Sequence, residues 1–155
     1  MKRICTTRFN NHTIEENNTY KSLHDNKCIY GTSIPIKDDI PINSLLYVIE
    51  MNNEENKITG IGQIINKRIT DKKHKIYSDY DYNRYIYTGK RYINKNMITD
   101  KFNKTLIYVL EQLLFKGSRH SKRAQGITEL PNWIINNRYK FNFIKCFNEL
   151  FNKYN

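Results

Sequence analysis

The stretch that most constrains the fold is residues 45–65, which with Ser44 reads SLLYVIEMNNEENKITGIGQII. Two short apolar runs, 45–49 and 58–65, flank a polar loop, Asn52-Asn53-Glu54-Glu55-Asn56. The first run is β-branched and aromatic and apolar at every position, which suits a central strand covered on both faces. The second carries Gly60 and Gly62 two apart, so a strand would place both on one face. A strand gives up side chains there when a bulge forms or when something packs close to its backbone. The loop length suits an antiparallel hairpin. The expected centre is therefore a small, curved, mostly antiparallel sheet.

The flanking sequence supplies the other layers. Residues 4–9 alternate as a first strand. Thr13, with Glu16 three residues later, has the pattern of a capping box. It predicts a short helix over 14–23 that Asp25 and Asn26 end. Residues 28–33, CIYGTS, read as a second strand, and Pro35 and Pro41 keep the next connection extended. Residues 67–75 are a basic connector. Tyrosines then crowd residues 76–93, whose second half is strand-like with a turn or bulge at Gly89. Leu106, Val109, Leu110, Leu113 and Leu114 recur at helical spacing after Thr99 or Asp100 as cap, with Gly117 as the stop. After a basic loop over 117–130, apolar and aromatic residues from Trp133 to Tyr154 recur three and four apart. They predict one aromatic-striped C-terminal helix. The whole is one α+β domain, 1–155, with its core over 4–130 and a helical segment over 132–154.

The net charge of +11 favours an anionic partner, most often nucleic acid. Codon bias offers a second source for it. The chain is crowded with Asn, Ile, Lys and Tyr and holds one alanine, Ala124, as an A/T-rich viral or protist genome would dictate. No apolar run approaches the ~20 residues that span a bilayer, and the start lacks the apolar stretch of a secretory signal. Three scattered cysteines, Cys5, Cys28 and Cys146, fit a reducing compartment rather than a disulfide framework. The expected location is intracellular, in cytoplasm or nucleus, or within a virion.

Single-stranded nucleic acid is held by cationic grooves combined with aromatic platforms. Tyr80, Tyr82, Asn83, Arg84, Tyr85, Lys90, Arg91 and Tyr92 supply both within one stretch, although alternate tyrosines of a strand also serve a core. Arg119-His120-Ser121-Lys122-Arg123 puts four potential cations in five positions, with Gln125 and Gly126 following. Hydroxyl, amide and cationic groups suit phosphate contacts; a solvated charge run is the plain alternative. Cys5, His12, His24 and Cys28 are possible zinc ligands, but their spacing is not that of a zinc knuckle, and buried strand cysteines fit better. Gly60-Ile61-Gly62 lacks the third glycine of a dinucleotide fingerprint. Asp38, Asp39 and Glu50 form no recognisable catalytic pair.

The order of these elements, with the ITGIGQI run closing the hairpin, resembles the PUA-like superfamily, and within it the YTH and EVE domains. The similarity spans about residues 4–125 and is one of element order. Residues 28–33 are similar to the YTH strand in which an aromatic residue precedes a small polar pair. That similarity implies a β-barrel flanked by helices, with a pocket that takes one flipped, often modified base. Tyr30, followed by Ser33, would stand in place of that family's tryptophan. Trp133 lies outside the matching strands, and the Gly-Lys-Glu-Arg pattern of the ASCH hydrolases is absent.

The expected function is a non-catalytic, cofactor-free and metal-free domain that binds RNA or single-stranded DNA. Tyr30 and some of Tyr80, Tyr82 and Tyr85 would stack a base, and Arg84, Lys90, Arg91, Arg119, Lys122 and Arg123 would hold phosphates. Two alternatives stand beside it. One is a structural or packaging protein with a basic surface, such as a viral component. The other is a nuclease using His120.

Overall fold

The computed structural model describes residues 1–24 and 28–154. Strand β1, Lys2–Phe9, leads into helix α1, Asn11–His24, and then β2, Cys28–Thr32. The hairpin follows as β3, Leu45–Asn52, and β4, Lys57–Ile65. A 3-10 turn, Tyr80–Asn83, precedes β5, Tyr85–Gly89, and β6, Arg91–Asn94. A second 3-10 turn, Lys95–Met97, leads to helix α2, Lys101–Phe115; then come β7, Thr128–Glu129, α3, Asn132–Ile135, and α4, Phe143–Tyr154.

The strands form two sheets, one in the order β6-β4-β3-β1-β7 and one pairing β2 with β5. Every pairing is antiparallel except β1 with β3. The fold is thus mixed α+β around a mostly antiparallel sheet, and among the described residues the strands do not close into a barrel. β3 is the central strand and is buried along nearly its whole length, as its unbroken apolar run requires. Its alternate side chains feed two cores. Tyr47, Ile49 and Met51 face α2 and α4, whereas Leu46 and Val48 face the β2–β5 sheet and α1.

Local chemistry sets the element ends. Asn52 Oδ1 accepts from the backbone of Glu54 and Glu55, which folds the hairpin turn. A bulge leaves Thr59 without an opposite number between the Glu50–Gly60 and Met51–Ile58 pairs. Helix α1 starts earlier than the Thr13 cap predicts. Asn10 Oδ1 accepts from Thr13 N while Thr13 Oγ1 accepts from Asn10 N, so the reciprocal box sits one turn upstream. Glu16 instead accepts from Ser78 N across the domain. The stop expected at Asp25 and Asn26 lies outside the described residues. Asp100 caps α2, as expected.

Two elements depart from expectation. The strand-like run around Gly89 is divided between the sheets, β5 pairing with β2 and β6 with β4. The single C-terminal helix is two pieces, α3 and α4. Asn137 braces the Phe141 backbone, Lys140 takes φ 58, and Asn142 accepts from Lys145 N to start α4. Asparagine side chains that bond nearby backbone compete with helix, and here they win.

Candidate functional site

A cavity of about 310 Å³ opens where the end of β1, the start of α1, the end of β2 and the segment 124–126 meet. The parallel β1–β3 pairing and the reversal at Asn10 bring these segments together. Phe9 and Tyr77 form apolar walls, both buried, while Tyr82 stands at the mouth, 45% exposed and edge-on to Tyr77. Thr7, Ser33, Asn53 and Gln125 add hydroxyl and amide groups to the lining. The volume lies at the small end of ligand sites, and aromatic walls with a few polar groups are their usual make-up. Gly31 is required here, since a Cβ would come within 2.4 Å of the Tyr82 carbonyl oxygen.

Arg8 bounds the cavity and dominates its electrostatics. Its Nη2 donates to the carbonyls of Thr6 and Gly126, at 3.1 and 2.8 Å, and to Thr128 Oγ1. Its Nη1 donates to Thr6 Oγ1 and to the Ser121 carbonyl at 3.1 Å. No carboxylate is among these partners. Burial alone draws the guanidinium pKa down to about 10, so at neutral pH it stays a cation. Two polar atoms of cavity-lining residues, Arg8 Nε and Asn53 Oδ1, are buried with no hydrogen-bond partner among the described residues. Such atoms cost about 1–3 kcal/mol each unless something satisfies them.

The same guanidinium fixes the basic loop. By holding the carbonyls of Ser121 and Gly126 it ties both ends of the run that carries Lys122 and Arg123. Asn53 Nδ2 adds a bond to the Lys122 carbonyl. Arg123 is exposed directly beside the cavity-lining Ala124, and Arg119 lies over the Trp133 ring at 4.6 Å. His120 Nδ1 accepts from Lys122 N.

The remaining expected site residues separate into groups. Ser33 and Tyr82 line the cavity. Tyr30 does not: it is 1% exposed, its hydroxyl donates to buried Glu50 at 2.8 Å, and its ring packs against Phe9. No ring face is left for a base. The space left by Gly60 and Gly62 is filled by the protein's own Tyr92 and Tyr30 hydroxyls. Asn83 is consumed locally, accepting from Ile76 N and Tyr77 N and donating to the Tyr77 carbonyl. Tyr80, Arg84 and half-buried Tyr85 line a separate basic trough with residues 68–70 and 72–75. Lys90 is exposed at the β5–β6 junction, and Arg91 donates to the Phe151 carbonyl and covers the Phe151 ring.

Arg8 and Asn53 were not expected at a site. The one signal for Arg8 is a cation on the strand face that also carries Ile4. Nothing local marks Asn53. Among the described residues no three His, Cys, Asp or Glu side chains are placed to hold a metal ion. Cys5 and Cys28 are fully buried, and burial pushes both thiols up to about 12. They are therefore protonated at neutral pH. No described helix is long and apolar enough to cross a membrane. Comparison with family models, with curated proteins and with solved structures finds no match to the chain.

Proposed function

We infer that the chain binds single-stranded nucleic acid, RNA or DNA, and takes one unstacked base into the cavity behind Tyr82. The observation that carries this is the pairing of an aromatic-walled cavity with a cation, Arg8, that no carboxylate among the described residues neutralises. A base has a π-face for Tyr82 and edge groups for Gln125. The strand's phosphates would meet Lys122 and Arg123 at the rim. A remote kinship with the PUA-like families is part of this proposal, supported by element order and by the cavity lying beside the end of β2 at Thr32, with Ser33 just beyond it. Base insertion is a binding role and requires no catalytic residue.

The test is affinity for labelled single-stranded RNA and DNA across a salt series. Tyr82→Ala should weaken binding by about 1–3 kcal/mol, the worth of one stacked base, with little change in melting temperature. Ala124→Trp, which fills the cavity from an exposed position, should weaken it at least as much. Binding that ignores both substitutions would refute base insertion, and affinity that stays flat with salt would refute the nucleic-acid partner.

A further inference from the structure

We propose that the connector 67–75, the first 3-10 turn and β5 form a phosphate-binding trough for the stretch of nucleic acid that leaves the cavity. This rests on the nucleic-acid function inferred above but uses different residues. A trough of about 620 Å³ is lined by Arg68, Lys72, Lys73, Lys75 and Arg84, with Tyr80 and Tyr85 among them.

Three features separate this surface from a solvated charge run. The first is that the connector is tied down from beneath. Ile69 N donates to the Ile86 carbonyl, His74 is buried with its ring bonded to the Tyr20 hydroxyl, and Ile76 N is held by Asn83. With His74 and Ile76 inward, the lysines at 72, 73 and 75 are left facing solvent. Charges on a fixed backbone lose less freedom on binding than charges on a free one.

The second is that the charges are unspent. Arg68, Lys72, Lys73 and Lys75 make no ion pair among the described residues, whereas Arg3 and Lys95 each have a carboxylate. Arg84 is partnered loosely by Asp81 at 3.6 Å, and exposed Asp71 is the one acid within the connector. The third is the aromatic content. Tyr80 is two-thirds exposed, and Arg68 lies over the Tyr85 ring at 5.0 Å, an arrangement that extends a stacking platform with a cation.

The route from the cavity is short. Tyr82 borders the cavity and Tyr80 borders the trough, from the same 3-10 turn. A strand whose base is held behind Tyr82 would cross this turn and lay its phosphates against the lysines. An acidic protein would find cations here but no use for the tyrosine faces.

The experiment compares wild type, Lys72→Ala/Lys73→Ala/Lys75→Ala and Ala124→Trp, each with a melting curve. The probes are mixed-sequence RNA and DNA of three and of fifteen nucleotides, and vesicles containing phosphatidylserine. The triple variant should bind the 15-mer more weakly, with a log K against log salt slope shallower by about 2, from about 0.7 per phosphate. Its 3-mer affinity should be unchanged. An unchanged 15-mer affinity and slope would overturn the trough. Vesicle binding that exceeds 15-mer binding in wild type and is lost in the triple variant would overturn it in favour of a membrane surface. If Ala124→Trp binds like wild type while the triple variant is defective, the trough stands and base insertion falls.

Discussion

Gly62→Ala should be among the most damaging single-methyl additions in this protein, and Tyr30→Phe should relieve most of its cost. An added Cβ at Gly62 would lie 2.2 Å from the Tyr30 hydroxyl oxygen and 3.0 Å from the two nearest ring carbons. The hydroxyl would have to retreat by about an ångström to reach ordinary contact. It has nowhere to go, because Tyr30 is 1% exposed and its oxygen is held 2.8 Å from Glu50 Oε2. Glu50 is itself fully buried and relies on hydroxyls from Tyr30, Thr59 and Tyr92. Overpacking costs about 1–3 kcal/mol, and a hydrogen bond to a charged group is worth about 1.5–3 kcal/mol. Gly62→Ala should therefore destabilise by about 3–5 kcal/mol. Tyr30→Phe alone should cost about 2 kcal/mol, from the lost donor. In the double variant the clashing oxygen is gone and only the 3.0 Å ring contacts remain, so the total should stay near 3 kcal/mol. The coupling is then about 2–4 kcal/mol, well above the few tenths seen for independent sites. Urea unfolding of the four proteins, followed by Trp133 fluorescence and circular dichroism, measures it. Additive losses would refute the claim that the glycine exists to admit this hydroxyl.

Arg8→Lys keeps the charge but cannot span the Thr6, Ser121 and Gly126 carbonyls; it should cost about 2–3 kcal/mol and raise hydrogen exchange and protease cutting within 117–127 selectively. Unchanged protection there would count against Arg8 as the anchor of the loop. Arg119→Ala/Lys122→Ala/Arg123→Ala should flatten the salt dependence of nucleic-acid binding by about 2 in slope. Its folding cost should be at most about 1 kcal/mol, mainly from the Arg119–Trp133 contact; a slope identical to wild type would make the loop a solvated run. The Asp100 carboxyl is held below the usual carboxylate range by the Tyr154 hydroxyl first and by Asn103 next. A depressed folded-state pKa gives stability that is complete above the unfolded value of about 3.9 and is lost as pH falls below it. Melting temperature from pH 6 to pH 2 should thus fall less steeply in Asp100→Asn than in wild type, by a modest margin because the side chain is partly solvated. Parallel curves would remove Asp100 from the acid response.

Much of the scaffold was legible because its signals are local. The 45–65 hairpin announces itself through an apolar run, an asparagine turn and paired glycines, all within twenty-odd residues. Helix α2 follows from leucine spacing between Asp100 and Gly117, and the basic loop from composition alone. Long-range packing decided the rest. Whether a strand tyrosine serves a ligand or a core depends on what lies across the sheet. For Tyr30 that was Glu50 and the gap at Gly62, and no window around residue 30 contains either. The cavity needs β1 beside β3 and the end of the 117–127 loop beside both. Arg8 therefore acquires its role from carbonyls more than a hundred positions away. The connector 67–75 looks like loose charge in sequence because its anchors, Tyr20, Asn83 and the Ile86 carbonyl, lie elsewhere in the chain. Period, capping and turn chemistry act over a few residues and can be read in order. A site is made where distant segments meet, and only the tertiary structure brings them together.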